Sequence, residues 1–281
     1  MIKAYTTSAS IVVFRSIPDV AVRLVEDLSE QCDQVWVIDN TPQPVLANGD
    51  DKFASLRNVH YLPHGRNVGY GAGHNIALRM VSDRSHHIHL VVNPDVEIEA
   101  ETVNTLVAYF DDPQVGLVMP RIVYPDGATQ QLARRVPRPR DVARRIVKPY
   151  FNLPDGSYEL ADADWDYDQR VPVVSGCFMA LRGSTLKQVG QFDDRFFMYF
   201  EDYDLSRRFA ARSIVLSTHS PRVVHHHGRE SRSSHKMART HLKSAWQYFR
   251  KWGWFVDLER GRLNASIGPY LSRNSNGSRT K

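Results

Sequence analysis

Cysteine is nearly absent: a chain of 281 residues holds only Cys32 and Cys177, with no C-x-x-C pair. A disulfide framework is excluded as the organising principle, and so are a zinc knuckle and a dithiol redox motif. No stretch reaches the roughly 18–20 consecutive apolar residues that a membrane-spanning helix needs. Ile11-Val12-Val13-Phe14 is cut short by Arg15 with no small-residue cleavage pattern, so a first strand is expected there and no signal peptide. Lys and Arg number 36 against 31 Asp and Glu, and this mild excess of +5 comes without a recognisable nucleic-acid module. What is present, 42% hydrophobic and 24% charged residues, excludes a disordered chain, a collagen-like fibre and a coiled-coil rod. One main core is expected, in a protein of the reducing cytoplasm whose only route to a membrane is its surface.

The first hundred residues alternate buried-strand runs with helical periodicity. Ile11 to Phe14, Val35 to Ile38, Asn58 to Leu62 and Ile88 to Val92 read as strands, with helices predicted over Val20 to Leu28 and Ala72 to Val81. That order implies an α/β protein with a mostly parallel sheet, and places Asp39, Asn40 and Asp95 at the carboxyl edge, where such sheets bind ligands. A helix is predicted over Glu99 to Phe110, a strand over Val171 to Leu181, and a helix over Lys236 to Trp254. The polar stretch from 263 to 281 is expected to be a disordered tail behind a catalytic domain of residues 1–235 and a basic, aromatic helical extension of residues 236–262.

Four segments hold chemistry-bearing residues. Asn67-Val68-Gly69-Tyr70-Gly71-Ala72-Gly73-His74-Asn75 precedes a helical pattern, and glycine there either opens backbone N–H groups to a phosphate or simply makes a turn. A dinucleotide fingerprint is disfavoured, because it belongs directly after the first strand and this loop comes roughly fifty residues later. Asn93-Pro94-Asp95 offers a hard oxygen ligand for Mg2+ or Mn2+, or a turn after a strand. Phe196 to Arg208 runs from aromatics into Glu201, Asp202 and Asp204, which suits a general base with a raised pKa, a helix start, or both. Of His225, His226 and His227, at most one or two can reach one ion, so His225 either completes a site around Asp95 or is an ordinary satisfied histidine.

In this order the motifs resemble the family 2 glycosyltransferases of the inverting GT-A fold. The matching pieces are Ile11 to Ser16, Val37-Ile38-Asp39-Asn40, the Asn67 to Asn75 segment, Asn93-Pro94-Asp95-Val96, Ser175-Gly176-Cys177-Phe178-Met179, and Gly190-x-Phe192-Asp193 leading to Phe197-Met198-Tyr199-Phe200-Glu201-Asp202-x-Asp204-Leu205. Within the family the segments look most like bacterial rhamnosyltransferases of O-antigen or cell-envelope glycan assembly.

The resemblance implies a Rossmann-like sheet flanked by helices and a donor held by Asp39, Asn40, Asn67, Gly69, Gly71, Gly73, Asn75 and Asn93, with Asp39 accepting from the N3–H of a uracil or thymine. It further implies Mg2+ or Mn2+ on Asp95, with His225 beside it. Asp202 would deprotonate the acceptor hydroxyl, Glu201 would orient the acceptor, and Asp204 would cap the helix or pair with Arg207 or Arg208. The implied reaction moves a sugar, L-rhamnose from dTDP-L-rhamnose or alternatively a hexose from its UDP form, to a glycan or polyprenyl-diphosphate-linked acceptor. Three positions depart from the family pattern: Asn93 where many relatives carry Asp, Val173 where Trp is common, and Arg229-Glu230-Ser231 after His225-x-x-Gly228.

Two basic stretches remain. Arg134, Arg135, Arg138, Arg140, Arg144, Arg145 and Lys148 form one, in a segment read as surface loops. Lys236, Arg239, Lys243, Arg250 and Lys251, interleaved with Trp246, Tyr248, Phe249, Trp252 and Trp254, form the other. The second suits either peripheral contact with an anionic membrane or a helix whose aromatics pack on the domain. A non-catalytic nucleic-acid-binding protein is the alternative from another class.

Overall fold

The computed structural model describes residues 5–15, 17, 19–44, 53, 55–81, 86–144, 160, 164–226 and 235–271. Strand and helix alternate through β1 (Thr6–Val13), α1 (Asp19–Gln31), β2 (Gln34–Asp39), β3 (Val59–Pro63), α2 (Tyr70–Val81) and β4 (His87–Val92). Then come β5 (Val96–Glu97), α3 (Thr102–Ala108), β6 (Val115–Val123), β7 (Gln169–Arg170), β8 (Phe178–Arg182) and α4 (Gly183–Val189). The chain finishes with α5 (Glu201–Ala210), β9 (Ile214–His225), α6 (His235–Trp252), α7 (Leu258–Ala265) and β10 (Gly268–Pro269).

β1, β2 and β4 are buried along almost their whole length because both faces of the parallel sheet are covered. Helix α1 lays Ala21, Leu24, Val25 and Leu28, the residues at helical spacing, into that core. β3, β2, β1 and β4 are mutually parallel in that spatial order. The chain thus moves outward from β1 through β2 to β3 and returns to β4 on the other side of β1. That reversal makes a topological switch point at the carboxyl ends of β1 and β4. Beyond β4 the sheet continues with antiparallel β8, then β6 and β9, while β5 pairs antiparallel with the end of β9.

Three predicted segments differ in the structure. The strand expected over Val171 to Leu181 begins only at Phe178, as β8, because the chain before it turns at Gly176 and Cys177; the short β7 lies upstream of the expected span. The polar tail expected from residue 263 begins later: α7 runs to Ala265, and Gly268–Pro269 pairs with β7 at the sheet edge. Residues 272–281 of that tail lie outside the described residues, as do Arg145, Lys148 and His227. Arg134, expected in a surface loop, is buried and donates its backbone N–H to Val173 O at 2.9 Å.

A polar seam crosses the apolar layer between β1, β4 and α2. Thr6 Oγ1 meets His87 Nδ1 at 2.7 Å, His87 Nε2 meets Ser8 Oγ at 2.6 Å, and Ser8 Oγ meets His89 Nδ1 at 2.7 Å. His89 Nε2 then meets Ser10 Oγ at 2.8 Å, and Ser10 Oγ meets His74 Nδ1 at 2.7 Å. Burial pushes His74 down to about 3 and His89 well below the usual histidine value, with His87 and His74 adding to the effect on His89. The unfolded chain therefore binds protons below pH 6.5 that the folded protein refuses, so folded stability falls as pH drops from 6.5 toward 3. For His74→Asn we expect the pH dependence of unfolding free energy between pH 6.5 and 5 to become shallower by up to about 1.4 kcal/mol per pH unit, measured by urea denaturation. An unchanged slope removes His74 from the acid response.

Candidate active site

At the carboxyl edge of the sheet, Asp39 closes β2 with its carboxylate fully buried. Oδ1 accepts from Thr41 N at 2.8 Å, and Oδ2 accepts from the Tyr61 hydroxyl on neighbouring β3. Asn40, also buried, donates from Nδ2 to Gly69 O at 3.0 Å, and Asn67 Oδ1 accepts from Gly69 N at 3.0 Å. Asp39 thus braces the β2–β3 edge and offers no exposed oxygen to a base.

The glycine-rich segment is not a free loop. Helix α2 begins at Tyr70, so Gly71 and Gly73 belong to its first turn. A Cβ on Gly71 would meet Phe192 Cβ at 2.8 Å, and one on Gly73 would meet Val12 Cγ2 at 2.9 Å. The missing side chains admit protein neighbours. Gly69 is the turn residue, at φ +94, where a Cβ would fall 2.1 Å from Phe197 O. Asn75 fastens the same neighbour, since Nδ2 donates to Phe192 O at 2.8 Å and to Asp194 Oδ1 at 2.6 Å, and Oδ1 accepts from Phe192 N at 3.0 Å.

That packing carries the segment 192–200 to the sheet edge and positions α5. Tyr70 donates its backbone N–H to Phe197 O at 3.0 Å and its hydroxyl to Gly176 O. Gly176 N donates to Asp202 Oδ2 at 3.2 Å, and Tyr203 N donates to Asp202 Oδ1 at 2.9 Å. A Cβ on Gly176 would sit 3.2 Å from the Tyr70 ring and 3.4 Å from Asp202 Cβ. Tyr199 and Phe200 enter α5 at φ 68 and 67, left-handed values that side chains rarely adopt. Ser244 Oγ holds Met198 O at 2.7 Å, and Phe200 packs among Tyr203, Tyr248 and His241, which keeps this strained entry in place.

The metal-candidate residues meet on the other side of the same turn. Asn93 N donates to Cys177 O at 2.9 Å, which joins the end of β4 to the Gly176 turn. The β5–β9 pairing then sets Asp95 beside His225, with His225 Nε2 at 3.3 Å from Asp95 Oδ1. Gln130 Nε2 donates to His225 O at 2.8 Å and to Val123 O at 3.3 Å, so Gln130 Oε1 is the acceptor facing His225 Nδ1 at 3.0 Å. His225 Nδ1 is therefore the donor to Gln130, and Nε2 faces Asp95 Oδ1, a buried oxygen that receives no hydrogen bond. Asn93 Nδ2 lies 3.4 Å from the same nitrogen. His226 instead pairs with Glu97 at 2.9 Å.

Asp95 and Asp202 share an electrostatic neighbourhood. Burial pushes the Cys177 thiol up to about 12, and the negative charges of both Asp95 and Asp202 push the same way. Tyr70 is raised by burial and then by Cys177, Glu201, Asp202 and Asp95, which keeps its hydroxyl a neutral donor. Burial raises Asp202 above the usual carboxylate value, against the Gly176 and Tyr203 N–H groups and the positive charge of Arg134. Glu201 is raised further by burial and by Asp202, and its Oε2 has no hydrogen-bond partner. Asp204 is taken up by structural contacts, with Arg208 Nε, Lys251 Nζ and Trp252 Nε1 around it at 2.9, 2.7 and 2.8 Å.

The site therefore gathers Asp95, His225, Glu201 and Asp202 around Tyr70 and Cys177, with Asn93 at its rim, whereas Asp39, Asn40, Gly71, Gly73 and Asn75 form its packed wall. Tyr70, Gln130 and Arg134 are functional neighbours that sequence reasoning missed. Only Tyr70 left a signal, its place between two motif glycines.

The chain matches the profile of glycosyl transferase family 2 over residues 8–189, and it belongs to that family. It is similar to the N-acetylglucosaminyl-diphospho-decaprenol L-rhamnosyltransferase of Mycobacterium tuberculosis, at 29% identity over 247 residues covering 82% of this chain and 77% of that one. The rhamnosyltransferase WbbL of Escherichia coli K12 is 25% identical over 251 residues, 86% of this chain and 92% of the relative. The structure of GalNAc-T7 with UDP, GalNAc and Mn2+ superposes with a TM-score of 0.62 at 15% identity over 92% of this chain, which spans about half of it, 54%. That likeness is one of fold, the GT-A arrangement of a mostly parallel sheet flanked by helices.

The raised proton affinity of Glu201 has a measurable consequence. Above pH 4.5 the unfolded chain releases a proton that folded Glu201 retains, so this residue makes stability fall as pH rises. In Glu201→Gln that loss disappears, and its stability relative to wild type should grow from pH 4.5 to 7 by up to about 1.4 kcal/mol per pH unit in urea titrations. A pH-independent difference means that Glu201 ionises normally.

Proposed function

We propose that this glycosyltransferase moves L-rhamnose from dTDP-L-rhamnose, with inversion, to a hydroxyl of a cell-envelope glycan carried on a polyprenyl diphosphate. The observation that carries the reading is the pairing of a carboxylate of raised proton affinity, Asp202, with the Asp95–His225 pair across one turn, Gly176-Cys177. The names of the Mycobacterium tuberculosis and Escherichia coli relatives supply the sugar and acceptor class.

In this scheme Asp202 accepts the proton of the acceptor hydroxyl. The resulting oxygen attacks the anomeric carbon opposite the nucleotide, and the electrons of the breaking C–O bond leave with the diphosphate. One displacement inverts the configuration. Two backbone N–H groups aim the Asp202 carboxylate while desolvation strengthens it as a base. Glu201 orients the acceptor beside it, and Arg134 holds positive charge nearby.

Asp95 and His225 fit a divalent cation, because a buried carboxylate oxygen that receives no hydrogen bond lies beside an imidazole whose ring is oriented from the opposite nitrogen by Gln130. Among the described residues no three His, Cys, Asp or Glu side chains lie close enough to hold one ion together, so a Mg2+ or Mn2+ here would take few of its ligands from the protein. When bound, such an ion neutralises negative charge on the diphosphate. On this reading Asp39, held by the Thr41 N–H and the Tyr61 hydroxyl, shapes the edge of the donor pocket.

Calorimetric titration with dTDP and UDP, with and without Mn2+, tests the donor. We expect dTDP to bind more tightly and Mn2+ to strengthen it; tighter UDP binding selects the UDP-hexose alternative, and no binding of either nucleotide removes the transferase reading. Asp95→Ala should abolish the Mn2+ effect, whereas Gln130→Ala should keep it with metal affinity weakened about 10–100-fold. For Asp202→Asn, released nucleotide followed by mass spectrometry should show turnover lower by about 10²–10⁴-fold with donor affinity nearly unchanged. Normal turnover rejects Asp202 as the base.

A further inference from the structure

Helix α6 contains no acidic residue from His235 to Trp252. The structure divides its aromatics in two. Tyr248 and Phe249 are buried with Phe196, Phe200 and Ala245, and Trp252 donates to Asp204, so these belong to the core around the start of α5. Lys251 is also withdrawn, paired with Asp193 and Asp204 at 2.8 and 2.7 Å. What remains outside is a single helical face: Arg239, Leu242, Lys243, Trp246 and Arg250, at spacings of three and four residues. Arg250 lies over the Trp246 ring at 5.1 Å, and no acidic partner meets Arg239, Lys243 or Arg250 among the described residues.

Directly after α6 the chain carries an apolar projection. Gly253, at φ +102, closes α6 by donating to Phe249 O at 2.8 Å, and a Cβ on it would strike Val256 O at 2.1 Å. This tight turn leaves Phe255 94%, Val256 74% and Leu258 90% exposed. Their exposure is built in. On one side Trp254 packs on Phe249 at 5.2 Å. On the other, Asp257 is locked to the buried Arg207, whose Nη1 donates to Asp257 Oδ2 at 2.7 Å. A rigidly anchored apolar tip beside unpaired cations is a surface whose partner supplies both hydrocarbon and negative charge.

We propose that this face docks the protein on an anionic lipid bilayer, with Phe255, Val256 and Leu258 entering the interface and Arg239, Lys243 and Arg250 contacting headgroups. Charge complementarity favours this occupant over a second copy of the chain, which would oppose cation to cation. The aliphatic tip favours it over single-stranded nucleic acid, which calls for flat stacking surfaces. The same helix fastens the entry to α5 through Ser244 and Met198, and Tyr199 packs at a tilt against His241 with ring centroids 5.2 Å apart, so docking sets the Asp202 region near the membrane surface. The assignment deepens the proposed transfer by placing its lipid-linked acceptor, and it rests on that reading for the acceptor alone.

Full-length protein, Arg239→Gln/Lys243→Gln/Arg250→Gln, and Phe255→Ser/Leu258→Ser are sedimented with vesicles of phosphatidylcholine alone or mixed with phosphatidylglycerol. Circular dichroism and dTDP titration check the fold and the donor site. Wild type should sediment with the anionic vesicles only, the cation variant should bind about a hundredfold more weakly, and the tip variant should also lose binding, while both keep wild-type spectra. Wild-type protein that stays in solution, or variants that bind equally, overturn the proposal. So does a wild-type dimer that the tip variant makes monomeric without any vesicle binding, or charge-dependent capture of a single-stranded oligonucleotide in place of vesicles. Because sedimentation needs no catalysis, its failure is distinguishable from a failure of sugar transfer, which the dTDP titration reads separately.

Discussion

Tyr70 holds two distant backbone segments at once, its N–H on Phe197 O and its hydroxyl on Gly176 O, and the geometry of the site follows from that double attachment. The first bond needs Gly69, since any side chain there would overlap the Phe197 carbonyl. The second fixes a turn whose N–H aims Asp202 and whose next carbonyl accepts from the end of β4. A base candidate from the second half of the chain is thereby set against the carboxyl edge of a sheet made by the first half.

Burial acts on this region in opposite directions. It removes protons from His74 and His89, where a chain of serine hydroxyls satisfies neutral imidazoles, and it retains them on Glu201 and Asp202 at the start of α5. The helix N-terminus and the two N–H donors partly offset the desolvation of Asp202, leaving a carboxylate that ionises and still attracts a proton. Rigidity comes from behind. Asp204 gathers Arg208, Lys251 and Trp252, and Arg207 pairs with Asp257, so α6 and α7 clamp the helix that carries Asp202. The same clamp exposes the tip at Phe255.

Much of the fold is legible in the chain because it is written in local periodicity. The period of apolar residues announces β1, α1, β2 and β4, and the position of Asp39 and Asp95 at strand ends follows from counting. The motif glycines are visible, but their purpose is not: a glycine beside a ligand and a glycine beside Phe192 or Val12 leave the same letter. Asn75 is ambiguous for a similar reason, as its amide suits a nucleotide and equally suits the backbone of Phe192. Gln130 is silent, because its contact with His225 spans 95 residues and depends on β6 lying beside β9.

The order of motifs by itself determined the class of fold, the edge of the sheet that carries the chemistry, and the candidacy of Asp95, Glu201 and Asp202, since these are properties of short segments with a fixed period. Tertiary structure alone decided which buried carboxylate oxygens receive no hydrogen bond, which histidine stands beside Asp95, and which aromatics of α6 face outward. Those outcomes are set by competition among neighbours for hydrogen bonds and for space, and the competitors come from parts of the chain that no local pattern connects.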